Sequence, residues 1–375
     1  MGKHICFLSS AFSRDDSLII HRQGKSLVAA GYKVTCLFRD GMPTEHLYGM
    51  EMRSVGEKVK NVKDRIKSNG KVFKAYLKNF EADVYQVSEP ELLQMGLWLK
   101  KRGSKVVFNL REWYPYYYTR KTNNKLLKLI IEFCCEKYFR YVSKRIDGVF
   151  NCMPEMHDYI EKVMPCRYFE DVANFPVVDR DFSLSYEEYC KREPIISYFG
   201  SIYIISCQEE FLEAINDIPD VKYLLAGVFY SEEYKQKCMT MPGWQKVDFI
   251  GRFSRAELPS IINCSVMGNV MKDFNKTETP QGSYSIIKIF ETMEAAVPVI
   301  LAKVPLYEAM VEKYHCGICV DPHNVDEIRN AVRYLLEHKR EAYEMGQNGR
   351  RAVLEEFSWE SQERNYMKVM NALTQ

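Results

Sequence analysis

The sequence has no apolar run approaching the roughly 20 residues that a helix needs to cross a bilayer. Its first residues, MGKHICFLSS, lack a long apolar segment ending in a small-residue cleavage site, so we expect no secretory signal. Net charge is only +2. These absences predict a cytoplasmic protein without a membrane span, and they leave peripheral contact with the inner membrane face open.

The sequence also lacks the common cofactor and nucleotide motifs. No Gly-x-Gly-x-x-Gly follows any predicted strand, which argues against a nicotinamide dehydrogenase. The tripeptide GKS at 24–26 lacks the glycine that a phosphate loop needs five positions earlier, where this chain has Ile19. The acidic triplet DRD at 179–181 falls in a predicted linker, where exposed charge is expected. We therefore expect no cofactor.

Metal motifs are scarce as well. The seven histidines are scattered without a metal-binding spacing, and Cys316 and Cys319 form a Cys-x-x-Cys pair without a second pair to complete a zinc site. A turn entering a buried strand is the favoured interpretation of that pair, and no metal is expected. Several of the twelve cysteines lie in apolar runs, which indicates a reducing compartment.

What is present is an alternation of strand and helix patterns over 375 residues. Strands of four to seven residues separated by longer helices indicate parallel sheets, and a thinner stretch over about 174–194 reads as a linker. We predict an α/β protein of two doubly wound, Rossmann-like parallel-sheet domains facing each other across a cleft. The domains are predicted as 1–180 and 181–357, with a C-terminal helix over 358–375 that packs back on the first domain.

One segment, SYSIIKIFE, combines a polar start with a helix. If Ser285 caps that helix, the backbone amides of Ile286 and Ile287 lack partners within the helix and favour phosphate binding. Lys288 would add a full positive charge, and Glu291 on the same face suits the paired hydroxyls of a ribose. The alternative is an ordinary surface Lys–Glu pair on a capped helix.

This segment resembles the donor site of the retaining, nucleotide-sugar-dependent glycosyltransferases of family 4 (glycosyl transferases group 1), which have the GT-B fold. The resemblance rests on the Ser-x-x-Lys-x-x-Glu pattern of residues 285–291 and on Pro298-Val299-Ile300 after it. It is strong over 246–360 and weaker before 180. It implies a hexosyltransferase that moves a sugar from a nucleotide diphosphate to a glycan or lipid-linked acceptor, in polysaccharide or glycoconjugate biosynthesis. It also implies that the leaving phosphate assists the incoming hydroxyl, so no general base is named.

The same resemblance assigns the site residues. It places Glu291 at the ribose and the Ile286 and Ile287 amides at the diphosphate. On the donor side it also implies the group Gly200, Ser201, Arg252, Ser283, Tyr284, Ser285 and Lys288. On the acceptor side it implies Glu89, Glu112 and Ser88 as the catalytic positions.

The chain departs from the family pattern at four positions. Ser283 replaces the first glutamate of a spaced pair, Ser88 a histidine, Ser201 an arginine, and Ala296 a turn glycine. If Ala296 needs a positive φ, it costs on the order of 1 kcal/mol. These departures leave two alternatives: an inactive homologue that binds a nucleotide sugar or glycan as a regulatory or assembly partner, and a sugar-nucleotide epimerase. Lys272, Lys276 or Arg252 are expected to supply the missing phosphate charge.

Charge is unevenly distributed between the halves. Residues 1–180 carry a net +10 and the remainder −8. Residues 58–78 alone hold eight basic residues with interleaved apolar ones, which favours peripheral contact with an anionic membrane or, alternatively, an ordinary solvated helix. No motif indicates nucleic acid as a partner.

Overall fold

The computed structural model describes residues 2–120, 122–277 and 279–375. The chain forms two compact units. The first comprises the chain up to Asn174 together with Trp359–Gln375, and the second comprises Phe175–Ser358. The polypeptide therefore enters the second unit once and returns to the first for its last helix.

Strands and helices alternate along both units. Within the described residues the strands are β1 (His4–Ser9), β2 (Lys33–Phe38), β3 (Glu45–Leu47), β4 (Met50–Ser54), β5 (Val84–Val87), β6 (Lys105–Leu110), β7 (Gly148–Asn151), β8 (Tyr168–Asp171), β9 (Ile195–Ile202), β10 (Lys222–Phe229), β11 (Val247–Gly251), β12 (Met267–Asn269), β13 (Val299–Ala302) and β14 (Gly317–Val320). The helices are α1 (Lys25–Ala29), α2 (Val62–Leu77), α3 (Leu93–Lys101), α4 (Tyr114–Thr119), α5 (Lys125–Ser143), α6 (His157–Val163), α7 (Tyr186–Lys191), α8 (Gln208–Asn216), α9 (Glu232–Met239), α10 (Leu258–Asn263), α11 (Ile287–Glu294), α12 (Pro305–Tyr314), α13 (Val325–Glu337), α14 (Lys339–Glu355) and α15 (Trp359–Thr374). This alternation produces the predicted crossover connections between parallel strands.

The first unit is built on an eight-stranded sheet with the order β3-β4-β2-β1-β5-β6-β7-β8. Its neighbouring strands are parallel except for β3 and β4, which are antiparallel. Alternate residues of β1 point to opposite faces, so Cys6 and Leu8 join one core while Ile5 and Phe7 join another. Both faces are thus covered, as parallel sheets require.

The last helix, α15, belongs to the first unit. Its apolar side contributes to the core around Ile5 and Phe7. Trp359 Nε1 donates a hydrogen bond to Ser26 Oγ at 2.9 Å, and the Tyr366 hydroxyl donates to Gln86 Oε1 at 3.0 Å. These buried polar contacts fix the helix in register on the sheet.

The second unit has a six-stranded sheet with the order β11-β10-β9-β12-β13-β14, and its strands are all parallel. Cores on its two faces form around Tyr198 and Leu225 on one side and around Phe199 and Ala226 on the other. Two doubly wound parallel sheets are what the sequence pattern predicts, so the α/β class is confirmed. In such sheets, ligand-binding loops follow the carboxyl ends of the strands.

The linker predicted over 174–194 is partly helical. Tyr186–Lys191 forms α7, and Ser185 and Glu188 complete a reciprocal capping box at its start. Tyr189 is buried, and its hydroxyl donates to the Val266 carbonyl at 2.9 Å. This stretch belongs to the second unit because its cap and buried tyrosine anchor it there.

Across the described parts of the chain, no helix combines the length and the apolar composition that a bilayer crossing requires.

Candidate functional site

The loop leading into α11 begins the candidate donor site. The helix starts at Ile287, and its N-cap is Ile286 rather than the predicted Ser285. The Ser283 hydroxyl accepts a hydrogen bond from the Ser285 amide at 3.0 Å, and the Ile287 amide donates to the Ser285 carbonyl at 3.1 Å. The Ile287 amide therefore has its partner in the loop before α11 rather than within the helix, and its role at a phosphate stays a prediction.

The side chain of Tyr307 anchors this loop. Its hydroxyl donates to the Ser283 carbonyl at 2.8 Å, and Ser283 is 6% exposed. Ser283, which replaces the family glutamate, is therefore buried and takes part in the hydrogen bonding that holds the loop.

Lys288 lies beside the end of β9. Its Nζ sits 3.9 Å from the centroid of the Tyr198 ring. Gly200 has a φ of 109°, a conformation that favours glycine, and a Cβ there would lie 3.6 Å from that Nζ, in ordinary van der Waals contact. The Tyr198 hydroxyl donates to the Ser201 carbonyl at 2.9 Å. The structure thus brings together three predicted residues, Lys288, Gly200 and Ser201.

Tyr198 was missed by sequence reasoning. It reads as an ordinary buried strand residue in IISYFG, and nothing in that pattern indicates that its ring supports a lysine from another helix. Only the pairing of β9 beside β12 and the placement of α11 bring the two together.

Glu291 is the buried carboxylate of the site. It is 6% exposed, and its Oε1 accepts a charge-assisted hydrogen bond from Arg255 Nη2 at 2.6 Å. The partner of this glutamate is therefore Arg255, while Lys288 contacts the Tyr198 ring instead. Arg252, the arginine chosen from the sequence, is exposed. Two residues separate the two arginines, and the loop after β11 brings the later one to Glu291.

Tyr284 lies in an aromatic cluster. Its ring stacks on Phe357 at 5.7 Å between centroids, and Phe290 lies 4.9 Å from Phe357. Phe175 contacts the Phe290 ring at 4.7 Å. The structure places Tyr284 as a packing residue that anchors the loop before α11.

Ala296 follows the last turn of α11 with a φ of 55°. It occupies the left-handed position at which glycine is usual after a helix. Alanine carries a steric cost of about 1 kcal/mol there. Ala296 therefore has the positive φ on which the predicted cost of alanine depends.

The two lysines considered as replacement phosphate ligands already have contacts. Lys276 Nζ lies 2.8 Å from Asp273 Oδ2, and Lys272 lies over the Phe274 ring at 5.2 Å. Lys288 lies on α11 itself, and Arg255 pairs with Glu291 of that helix.

In the first unit, Glu89 follows β5 and is 2% exposed. Ser9 Oγ donates to its Oε1 at 2.6 Å, and the amides of Ser10 and Ala11 donate to its two oxygens at 3.1 Å each. Burial raises the pKa of Glu89 to about 7 against these hydrogen bonds, and the nearby Glu91 raises it further. Glu89 therefore organises the loop after β1.

The other two predicted catalytic positions differ in exposure. Glu112 is exposed. Ser88 is fully buried, and within the described residues its Oγ has no hydrogen-bond partner. Tyr114 donates to the Ser88 carbonyl at 3.3 Å.

Arg111 was not selected from the sequence. Its Nη1 lies 2.7 Å from Asp16 Oδ1, and its guanidinium lies 4.2 Å from the centroid of the Phe12 ring. Asp16 Oδ1 also accepts from the Leu18 and Ile19 amides, so the arginine secures the segment between β1 and α1. The signal in VVFNLREW was an arginine directly after a buried strand.

One cluster in the described residues has donor atoms close enough for a metal, namely Cys207, Glu210 and His323. His323 Nδ1 and Glu210 Oε1 already form a hydrogen bond at 2.8 Å. Burial raises the pKa of the Cys207 thiol to about 12, which disfavours the thiolate that a metal needs. The Cys316 and Cys319 thiols are free, and burial raises their pKa values to about 12 as well.

Part of the chain matches a known protein family. Residues 206–368 match the model of a family described as glycosyl transferase-like, and this range includes Lys288, Glu291 and Arg255. The MMP alpha-(1->4)-mannosyltransferase of Mycolicibacterium hassiacum is 35% identical over 72 residues. That alignment covers 19% of this chain and 18% of the relative, so the chain matches less than a fifth of that protein's length.

Two solved structures show the same fold over nearly the whole chain. Sucrose-phosphate synthase from Thermosynechococcus elongatus has a TM-score of 0.72 at 16% identity and covers 99% of both chains. HepE from Anabaena, in complex with UDP and glucose, has a TM-score of 0.72 at 12% identity, covering 99% of this chain and 100% of that one. These neighbours confirm the predicted GT-B fold class.

Proposed function

We propose that this protein is a retaining hexosyltransferase that moves a sugar from a nucleotide diphosphate to a glycan or lipid-linked acceptor, in polysaccharide or glycoconjugate biosynthesis. The observation that carries the proposal is the placement of Lys288 and Glu291 on α11, within the range that matches the glycosyl transferase-like family. The fold supports it, and so does the presence of UDP and glucose in the structure of HepE.

Lys288 and the end of β9 would bind the diphosphate. Gly200 lies next to the lysine Nζ, and the Tyr198 hydroxyl donates to the carbonyl of the adjoining Ser201. A lysine is a common phosphate ligand because its compact charge meets oxygen atoms from several directions. As the bond to the sugar breaks, this cation would stabilise the negative charge that develops on the leaving group.

Glu291 would bind the ribose hydroxyls. Buried carboxylates accept hydrogen bonds from paired hydroxyl groups, and Arg255 holds this one from its Oε1 side. Arg255 supplies the compensating positive charge that a buried carboxylate needs. The proposal includes no metal, no other cofactor and no general base.

An inactive homologue that binds nucleotide sugar is a second candidate, favoured by Ser283. This residue replaces a family carboxylate, and its hydroxyl accepts a hydrogen bond from the Ser285 amide. Turnover of the bound nucleotide sugar separates the two candidates, since a binding protein leaves it intact.

The test is a thermal-shift panel with UDP, GDP, ADP and their sugars. A ligand at 100 times its Kd stabilises the folded protein by about 2.7 kcal/mol, which raises Tm by several degrees. We expect one nucleotide to stabilise the wild type and to lose that effect in Glu291→Ala. No response to any nucleotide would contradict the proposal.

A matched control is Glu294→Gln on the same helix. Glu294 Oε1 also pairs with an arginine, Arg350, at 3.1 Å, but it lies at the other end of α11. This variant loses an ion pair of similar kind and should keep its response to the nucleotide. Loss of that response in both variants would indicate damage to α11 rather than loss of a ligand.

We also propose that the first unit makes peripheral contact with an anionic membrane, where a lipid-linked acceptor would reside. The sequence suggested residues 58–78 for this contact. In the structure Phe73 and Leu77 of α2 are buried in the unit's core, which leaves its lysines as a solvated polar face. The apolar part of a membrane surface must therefore come from another element.

A further inference from the structure

The exposed apolar surface of the first unit is concentrated on α5. Leu126, Leu129, Ile130 and Phe133 are 68%, 64%, 51% and 60% exposed, respectively. Their spacing of three and four residues places them on one face of the helix. Phe139 and Val142, on the opposite side, are buried in the unit's core. The helix is therefore apolar on its outer side over residues 126–133 and apolar on its core side at Phe139 and Val142.

The same outer face becomes basic toward the end of α5. Lys137, Arg140 and Lys144 continue the three- and four-residue spacing from Phe133, and all three are exposed. Lys137 Nζ lies 5.2 Å from the Phe133 ring centroid, which joins the apolar and basic parts. We use the term outer face of α5 for these three residues together with Leu126, Leu129, Ile130 and Phe133.

The acidic residues of α5 lie to the side of this face and are engaged. Glu132 Oε1 accepts from the Thr119 hydroxyl at 3.0 Å and lies 3.8 Å from Lys128 Nζ. Glu136 accepts a hydrogen bond from the Tyr159 hydroxyl. The outer face thus presents apolar and positive groups with little opposing charge.

We propose that the outer face of α5 docks the protein on an anionic lipid membrane. An exposed apolar stripe adjoining lysine and arginine is the composition by which helices lie in a lipid interface, with apolar groups among the acyl chains and cations at the headgroups. Charge complementarity decides the occupant, because a second copy of this chain would bring the same positive charges against each other. In one respect the inference rests on the proposed function, in that a lipid-linked acceptor would bring this unit to a membrane.

Vesicle flotation tests the inference with the full-length protein. Vesicles of phosphatidylcholine alone are compared with vesicles that also contain phosphatidylglycerol. The wild type should float with the anionic vesicles and remain in solution with the neutral ones. If it floats with neither, the proposal is overturned.

Two variants test the two parts of the outer face. Leu129→Ser/Phe133→Ser should reduce partitioning about tenfold or more, because it removes the groups that enter the lipid. Lys137→Gln/Arg140→Gln/Lys144→Gln should reduce it on the order of a hundredfold, at about fivefold for each charge. Both variants change exposed side chains, so their Tm and their response to nucleotide should equal those of the wild type.

A charge-matched control is Lys63→Gln/Lys67→Gln/Lys71→Gln on the solvated face of α2, whose lysines are also exposed. It should bind anionic vesicles within about threefold of wild type, because long-range attraction is screened beyond about 10 Å. If this control loses as much binding as the α5 charge variant while Leu129→Ser/Phe133→Ser retains it, α5 is not the docking surface.

Analytical ultracentrifugation tests whether a second copy of this chain covers the outer face of α5 instead of a membrane. A wild-type dimer that becomes a monomer in Leu129→Ser/Phe133→Ser would show that a second copy covers this face, and would overturn the membrane proposal. The nucleotide panel is performed without lipid. If the protein responds to nucleotide but does not bind vesicles, the membrane inference is contradicted and the proposed function stands. If it binds vesicles but does not respond to nucleotide, only the proposed function is contradicted.

Discussion

Each unit buries one predicted site glutamate, Glu89 after β5 and Glu291 on α11, and the two glutamates are held in different ways. Glu89 accepts hydrogen bonds from neutral donors, a serine hydroxyl and two backbone amides. Glu291 accepts one from Arg255, which brings a full positive charge. Both side chains are nearly inaccessible, at 2% and 6% exposure. Burial alone therefore does not determine what a carboxylate can do.

The difference lies in how each site compensates a negative charge. Dipoles from amides and hydroxyls do not offset the loss of solvation at Glu89, so its pKa rises to about 7. An ionic partner compensates the charge at Glu291 directly. We infer that Glu89 primarily organises the main chain of the loop after β1, whereas Glu291 forms an ion pair next to the proposed ribose position.

The largest expected effect is the pH dependence that Glu89 imposes on stability. Between pH 4.5 and about 7 the unfolded chain releases this proton while the folded protein retains it. The free energy of unfolding therefore falls as pH rises through that window, by on the order of 3 kcal/mol, and this contribution is constant above it. Glu89→Gln should reduce this slope, as measured by urea unfolding at several pH values.

Asp40→Asn is the control for this slope. Burial raises the pKa of Asp40, but hydrogen bonds from Arg14 outweigh that effect and hold it below its usual 3.8. Its contribution is lost as pH falls through that lower range, so the slope between 4.5 and 7 should survive in the variant. A wild-type protein whose stability is flat over that window would show that Glu89 titrates normally.

The general fold follows from the sequence because it depends on repeated local patterns. Alternating strands and helices specify parallel sheets, and buried strands such as β13 (VILA) are apolar throughout. The position of Glu291 and Lys288 on one helix could also be predicted, since it requires only a short segment in helical register.

The partners within the site could not be predicted in this way. Arg252 and Arg255 are both possible partners of Glu291 in the sequence, and only the path of the loop after β11 selects Arg255. The start of α11 differs from the prediction, and the loop before it is held by Tyr307, which lies 24 residues beyond Ser283 in the sequence. The outer face of α5 was likewise hidden, because periodicity reveals an amphipathic helix but not which apolar side faces the core.

The second prediction removes the charge that distinguishes Glu291 from Glu89. Arg255→Met should lower the free energy of unfolding by about 2 kcal/mol, because it leaves a buried carboxylate without its cation. The value is less than for a fully buried pair, since the Arg255 side chain is 39% exposed. Urea unfolding of Arg255→Met, Glu291→Gln and the double variant gives the coupling between them. A coupling of zero would mean that the ion pair contributes nothing to stability.

The third prediction separates stability from ligand binding at Lys288. Lys288→Met should change the free energy of unfolding by less than about 1 kcal/mol, because a partly exposed lysine over a ring contributes little. The same variant should lose the stabilisation by nucleotide, since its cation would be at the diphosphate. Thermal unfolding with and without the nucleotide measures both quantities. A large loss of stability without nucleotide would assign Lys288 a structural role, like that of Glu89.

The smallest expected effect concerns the serine that precedes Glu89. Among the described residues, the Ser88 hydroxyl has no hydrogen-bond partner, whereas the Ser9 hydroxyl donates to Glu89 at 2.6 Å. Ser88→Ala should change the free energy of unfolding by less than about 0.5 kcal/mol, because no hydrogen bond is lost, whereas Ser9→Ala should cost about 1.5 to 3 kcal/mol, as expected for a bond to a charged group. Urea unfolding above pH 7, where Glu89 is ionised, gives the clearest contrast. Equal costs for the two variants would show that the Ser88 hydroxyl has a partner in solution, and the two serines would then no longer differ in their contribution around Glu89.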